Sequence, residues 1–249
     1  MRIRHHASLG LAATACLVLS GCTNAADWNA NRSSQIHSFD TSSIQAQPDI
    51  IAKLPQGALE DGVLDVAAST DYAPAEFLDP SGTAVGYDVD LTNAIAAVLG
   101  VKGKVHTAEF DSIIASIGSK YDAGISSFTV TPERTAEVDM TAYINVGSRF
   151  NVQAGNPKGV ESSDHLQLCG RTIGVQVGTA QETTMRDAAD KCAQAGKPVL
   201  SVRSYSKQSE ATTGLVGGTI DATYSDSTVA GYAVELTDGQ IVTLGDIED

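Results

Sequence analysis

The sequence predicts an α/β protein built as two lobes joined by a strand, and three observations carry that expectation. Strand-like apolar runs alternate with helix-period runs from about residue 58 onward, the signature of mixed layers. A body of roughly 190 residues is long enough for two small domains. The Gly155-Asn156-Pro157 break divides that body, leaving 58–148 as a first lobe, 149–155 as a joining hinge strand and 156–249 as a second lobe.

The chain opens with Arg2 and Arg4, an apolar run over 9–19 and then Ser20-Gly21-Cys22, with no acid before Asp27. That pattern is a secretory signal over 1–21, too short to span a bilayer. No later run reaches the ~20 apolar residues of a membrane helix. A small pair followed by Cys at the end of the run resembles the bacterial lipobox, which implies cleavage before Cys22 and a diacylglyceryl group on its sulfur. One acyl chain anchors only marginally, whereas the two chains of a glyceride suit a permanent tether. Residues 22–57 are rich in Ser, Asn, Gln and Ala without a sustained apolar period, and are expected to be a flexible linker with Trp28 incidental in it.

Within the body, 64–68 reads as the first strand, followed by a turn at Asp79-Pro80-Ser81-Gly82. Leu91 and Ile95 among Val89, Ala96, Val98 and Leu99 fall at helical spacing over 88–99, and Gly100 stops that helix. A strand near Val105, a helix over 112–118 and a strand over 123–126 complete the first set. Strands over 173–177, 199–202, 222–224 and 241–244 form the second set, with helices over 180–195 and 208–216 between them.

Charge and cysteines set limits. The formal net charge is −14 at pH 7, and losing 1–21 removes two arginines and no acid, so nucleic acid is excluded as a partner. Of four cysteines, Cys16 leaves with the signal and Cys22 is assigned to lipid. The remaining Cys169 and Cys192 are expected to form a disulfide in an oxidising compartment, stabilising the fold by about 3 kcal/mol. His5, His6, His37, His106 and His165 lack ligand spacing, so no metal and no cofactor are expected.

Three segments could carry a site. Ser126-Ser127-Phe128-Thr129-Val130-Thr131-Pro132-Glu133-Arg134 follows a predicted strand, where open α/β sheets bind ligands. Thr131 and Pro132 suit a helix cap and first turn, which leaves Arg134 unexplained. A guanidinium grips a carboxylate through two parallel hydrogen bonds, as an ammonium cannot. Gly178-Thr179 ends a strand ahead of a helix whose N-terminus favours an anion, with Thr179 also a plain cap; the glycine spacing fits no dinucleotide fingerprint. Asp226 closes the strand 222–224 and would hold an ammonium, whereas Asp221 reads as a turn residue. An anion clamp and a cation clamp on separate strand sets fit a zwitterion.

At these residues the chain resembles the family 3 extracellular solute-binding proteins, the polar amino acid receptors of ABC importers. The matching pieces are Thr70-Asp71-Tyr72-Ala73-Pro74, Gly86-Tyr87-Asp88-Val89-Asp90-Leu91, Phe110-Asp111-Ser112-Ile113-Ile114, Tyr121-Asp122-Ala123, Thr129 to Arg134, Gly174 to Thr179 and Ile220-Asp221-Ala222. The Cys169 and Cys192 pair looks like that of actinobacterial members. The resemblance implies a type II periplasmic-binding-protein-like fold with a ligand cleft between lobes, a monomer held at the membrane by its lipid alone, and an ABC permease as partner.

It also implies that Arg134 and the Thr129 backbone bind the ligand α-carboxylate with help from Thr179. Asp226 and the Ser127 carbonyl would bind the α-ammonium, while Tyr72 and Phe110 line the pocket. Ser69 stands where receptors for basic amino acids often carry Asp, which disfavours a basic ligand, and Arg149 would meet an acidic or amide side chain if it faced the cleft. Ala75 replaces the usual Phe of the first loop. The family pattern continues past Asp249 through a second hinge strand into the first lobe, so the resemblance implies that a fragment, frameshift or shortened gene model leaves that lobe incomplete here. Two other functions share the fold: a cyclohexadienyl dehydratase-like enzyme, with Glu76 or Asp226 as its acid, and a receptor that signals to a sensor.

Overall fold

A computed structural model describes residues 38–248. The expected signal over 1–21, lipidated Cys22 and Trp28 lie outside the described residues. Among the described residues, no helix is long and apolar enough to cross a membrane.

The first lobe carries β1 (Val63–Ala68), β2 (Asp71–Tyr72), β3 (Glu76–Leu78), β4 (Ala84–Val85), β5 (Lys102–Thr107) and β6 (Ala123–Gly124). Its helices are α1 (Pro48–Ile51), α2 (Tyr87–Leu99), α3 (Ile113–Ser116) and α4 (Pro132–Thr135). β5-β1-β6 form a parallel sheet, and β2, β3 and β4 a separate antiparallel meander. α2 buries Asp88, Val89, Thr92 and Ala96, and ends where Gly100 takes the left-handed conformation at φ 70°.

The second lobe carries β7 (Ser148–Gln153), β8 (Thr172–Gln176), β9 (Ser201–Tyr205), β10 (Ala222–Asp226) and β11 (Ile241–Glu248), with α5 (Ala180–Gln194), α6 (Gln208–Val216) and α7 (Ser227–Leu236). One five-stranded sheet runs β11-β7-β10-β8-β9, antiparallel at β7 and parallel over β10-β8-β9. Phe150, Val152, Ile173 and Val175 from its strands, with Met185 of α5 and with Leu168 and Leu200, make the larger core. Cys169 and Cys192 are joined by a disulfide at a Cα separation of 5.6 Å.

Several elements differ from the sequence expectation. The strand expected to join the lobes is paired on both sides inside the second sheet, and the crossing from lobe to lobe is made by coil over 136–147. Part of the expected linker is docked: Phe39 N–H donates to the Asp90 carboxylate at 2.9 Å and Gln47 N–H to the Val98 carbonyl at 2.8 Å. Of its described apolar residues, Ile51 settles beside Gly100 at the end of α2, whereas Phe39 and Ile50 stay exposed, so no apolar period arises. The strand expected over 199–202 begins two residues later, since Val199 points to solvent at 75% exposure. The helix expected over 112–118 splits into a 3-10 turn, Phe110–Ser112, and the single turn of α3.

α7 was not foreseen, and it matters for the site. Its Val229 packs on Tyr72, Ala75 and Tyr87, and its Leu236 on Ala73 and Phe77. A second-lobe helix thus closes over the first-lobe meander and fixes how strand ends from both lobes face each other.

Candidate functional site between the lobes

Tyr72, Phe110, Ser127, Thr129 and Arg134 of the first lobe and Thr179, Ala180, Gln181 and Asp226 of the second line one cavity. Seven of the eight residues expected at the ligand from sequence are therefore brought together. The eighth, Ser69, is buried beside the cavity and does not line it: its N–H donates to Ser126 Oγ at 3.0 Å, its hydroxyl to Asp71 at 3.0 Å, and it accepts from Gln176 Nε2 at 3.1 Å. Arg149 stays outside as well, its Nε donating to the Gly245 carbonyl at 3.0 Å.

Arg134 is placed by a short helix whose local chemistry is the expected one. Thr131 Oγ1 accepts from Arg134 N–H at the N-cap and Pro132 opens the helix. The guanidinium then projects over two stacked rings, Phe110 and Phe128, at 5.5 and 5.2 Å from their centroids. Its Nη1 donates to the Thr129 carbonyl at 2.7 Å and its Nη2 crosses the cleft to the Gly178 carbonyl at 2.9 Å. Gly178 has φ 77°, and a Cβ there would lie 2.8 Å from the Asp111 Cβ, so the close approach of the lobes at this point requires glycine. Burial lowers the guanidinium pKa and the facing Asp226 counters that, while Arg keeps its charge at any physiological pH.

Opposite, Asp226 ends β10 and is buried at 5% exposure. Its Oδ1 accepts from Gln181 Nε2 at 2.8 Å, and its own N–H donates to the Tyr72 hydroxyl at 3.2 Å across the cleft. Burial, the largest cause, pushes its carboxyl up to about 6; hydrogen bonds from Tyr72 and Gln181 and the Arg134 charge pull the other way. Thr179 caps α5 through Glu182 N–H, and its hydroxyl donates to the Gln176 carbonyl at 2.7 Å.

The floor of the first-lobe side is a polar network. Asp88, at 1% exposure, accepts from Ser127 N–H at 2.9 Å, Ser127 Oγ at 3.1 Å and the Tyr143 hydroxyl at 2.7 Å. These bonds hold Ser127 in a left-handed conformation, φ 48°. Glu76, fully buried, accepts from Ser126 Oγ at 2.5 Å, and burial followed by the Asp88 charge raises its pKa well above the ordinary carboxyl range. Asp221 accepts from Thr172 N–H at 2.8 Å, the turn role expected of it.

Sequence reasoning missed Gln181, Asp88 and Tyr143. Gln181 follows a capping Thr by two residues, a position whose inward direction appears only once the helix is docked; Asp88 and Tyr143 reach the site through partners far along the chain.

As drawn together, the cavity holds about 10 Å³, room for roughly one water. A hollow of about 200 Å³ touches Ser127, Thr129 and Asp226 from the coil side, lined further by Tyr143, Asn145 and Val146. An amino-acid-sized ligand therefore enters only if the lobes part or the Arg134 bridge to Gly178 swings aside.

The chain matches the family described as bacterial extracellular solute-binding proteins, family 3, over residues 64–237. It is similar to the arginine-binding protein ArgT of Corynebacterium glutamicum, 29% identical over 97% of this chain and 77% of that protein. It is also similar to the L-arginine-binding protein of Pseudomonas aeruginosa, 33% identical over 78% of this chain and 69% of that one. Among solved structures, an ancestral arginine-binding protein bound to arginine superposes with a TM-score of 0.69 at 31% identity, covering 76% of this chain and 81% of that one. With its two lobes and interlobe cleft, this chain belongs to the family 3 bacterial extracellular solute-binding proteins.

Proposed function

We propose that this protein captures a polar α-amino acid in the interlobe cleft and delivers it to an ABC-type importer. The observation that carries the reading is that Arg134 and Asp226 come from opposite lobes and line one cavity. Arg134 pairs with the α-carboxylate, joined by the Thr129 and Thr179 side of the cleft; Asp226 and the Ser127 carbonyl pair with the α-ammonium. Tyr72 and Phe110 supply the ring surfaces against which the ligand packs. A zwitterion makes both charge pairs at once only when the lobes are closed on it, so binding and closure are one event.

A polar ligand is supported by the cavity lining, where Ser127, Thr129, Thr179 and Gln181 bring hydroxyl and amide groups beside Tyr72 and Phe110. The two curated relatives are named for arginine. Binding rather than catalysis is supported by the carboxyl arrangement: Glu76 lies under the wall bonded to Ser126 and Asp88 is taken up by Ser127 and Tyr143, so Asp226 is the acid among the residues that line the cavity. The Cys22 thioether would hold the protein at the outer face of a membrane, as a monomer, beside its permease.

The test is a thermal-shift series with the twenty amino acids. A ligand at a hundred times its Kd stabilises the native state by about 2.7 kcal/mol, a rise of a few degrees in Tm. One or a few polar amino acids should raise it. No rise with any of the twenty, in a folded sample, contradicts the proposal.

A further inference from the structure

We propose that Gln181 is a positioning residue for the ammonium-binding end of the cleft, its amide holding the Asp226 carboxyl group in place without adding a charge of its own. The inference rests on the reading of Asp226 as the ammonium partner.

The geometry is a three-way tie. Gln181 sits in the first turn of α5, is 4% exposed and lines the cavity. A glutamine amide has two N–H donors on one nitrogen. Both are placed here: one on Asp226 Oδ1 at 2.8 Å, the other on Ser148 Oγ at 2.9 Å. Asp226 and Ser148 are themselves register partners at the end of the antiparallel β10-β7 ladder. Gln181 therefore pins the last rung of that ladder to the helix and sets the carboxylate relative to both.

The residue type matters. A donor to a carboxylate favours the ionised over the neutral acid. Lysine or arginine at this point would do the same and would also cancel the charge that the ligand ammonium has to find. A neutral amide bonds the carboxylate and leaves its charge for the ligand. Asparagine, one methylene shorter, reaches less far from the same helix position.

The groups facing Asp226 can be named from every side: Tyr72 of β2, Asp88 of α2 and Arg134 of α4 in the first lobe, and Tyr224 on its own strand. Burial and the Asp88 charge raise its pKa, and Tyr72, Gln181 and Arg134 oppose them. Removing the Gln181 bond removes one opposing contribution, so the midpoint moves upward. Ammonium binding needs the carboxylate, so affinity falls as pH drops through that midpoint, and in the variant the fall starts at a higher pH.

The experiment is a carbon-detected NMR titration of the Asp226 side-chain carboxyl in the full chain, for wild type, Gln181→Leu and Gln181→Glu. L-Arginine calorimetry between pH 5 and 8 accompanies it as the probe. The expected result is an upward shift of the Asp226 midpoint by about half to one pH unit in Gln181→Leu. Gln181→Glu, isosteric with the native residue, should give a larger shift because it sets a second carboxylate against the first. Should the leucine variant fail to fold, the isosteric variant decides alone. An unchanged midpoint in a folded variant overturns the proposal. A shifted midpoint together with no binding of arginine or of any other amino acid leaves the positioning role standing and removes the reading of the cleft.

Discussion

The two lobes are held together by different means. The second lobe has a five-stranded sheet, a large apolar cluster with a smaller one beside it, and a disulfide that ties the loop before β8 to α5. The first has a three-stranded sheet whose outer strand, β6, is two residues long, and beside it a hollow of about 480 Å³ lined by Ile114, Ile117, Phe128, Val138 and Met140 among others. What fixes the first lobe at the cleft is the hydrogen-bond network of buried Ser126, Glu76 and Asp88 with part-exposed Ser127 and Tyr143. Apolar burial is non-directional and makes a rigid platform; hydrogen bonds are directional and set the angle of individual groups. The lobe that carries Arg134 is organised by the second kind of force, and the lobe that carries Asp226 by the first.

This contrast can be broken at either end. Replacing Asp88 by Ala removes the buried carboxylate that accepts from Ser127 N–H, Ser127 Oγ and the Tyr143 hydroxyl, leaving Ser127 N–H only its longer bond to the Tyr143 hydroxyl at 3.2 Å. The expected cost is about 4 kcal/mol, read by chemical denaturation. Hydrogen exchange should rise in β1 and α2 while β7, β8 and β10 keep their protection; equal loss in both lobes would show that the network is not local to the first. Reducing the disulfide between Cys169 and Cys192 should cost somewhat less, about 3 kcal/mol, and should fall on α5 and β8. If reduction loosens the first lobe instead, the division of labour drawn above is wrong.

The same contrast explains how much could be read beforehand. Periodicity found the second-lobe elements well: the helix expected over 208–216 is α6 to the residue, because Ala211, Thr212 and Leu215 face a deep core. That Arg134 and Asp226 stand at one cavity was legible because Arg134 follows its own cap and Asp226 ends its own strand, both local signals. Gln181 and Asp88 were not, since their roles exist only in the partners that folding brings, Asp226 from 45 residues away and Ser127 from 39. α7 escaped because Ser227, Thr228 and Gly231 blur its apolar stripe, which becomes plain only against the meander it covers. The meander itself is three strands of two or three residues each, too short for a period to show.

The central claim is that one guanidinium and one carboxylate, from different lobes, meet the two ends of a single small molecule. It is tested most directly by calorimetry of a bound amino acid, its methyl ester and its N-acetyl derivative against wild type, Arg134→Ala and Asp226→Asn. Wild type should lose on the order of a hundredfold in affinity for either derivative. In Arg134→Ala the ester penalty should vanish while the N-acetyl penalty persists, and in Asp226→Asn the reverse. If both variants bind the unmodified amino acid as wild type does, or if each is equally indifferent to both modifications, the two-ended clamp is contradicted.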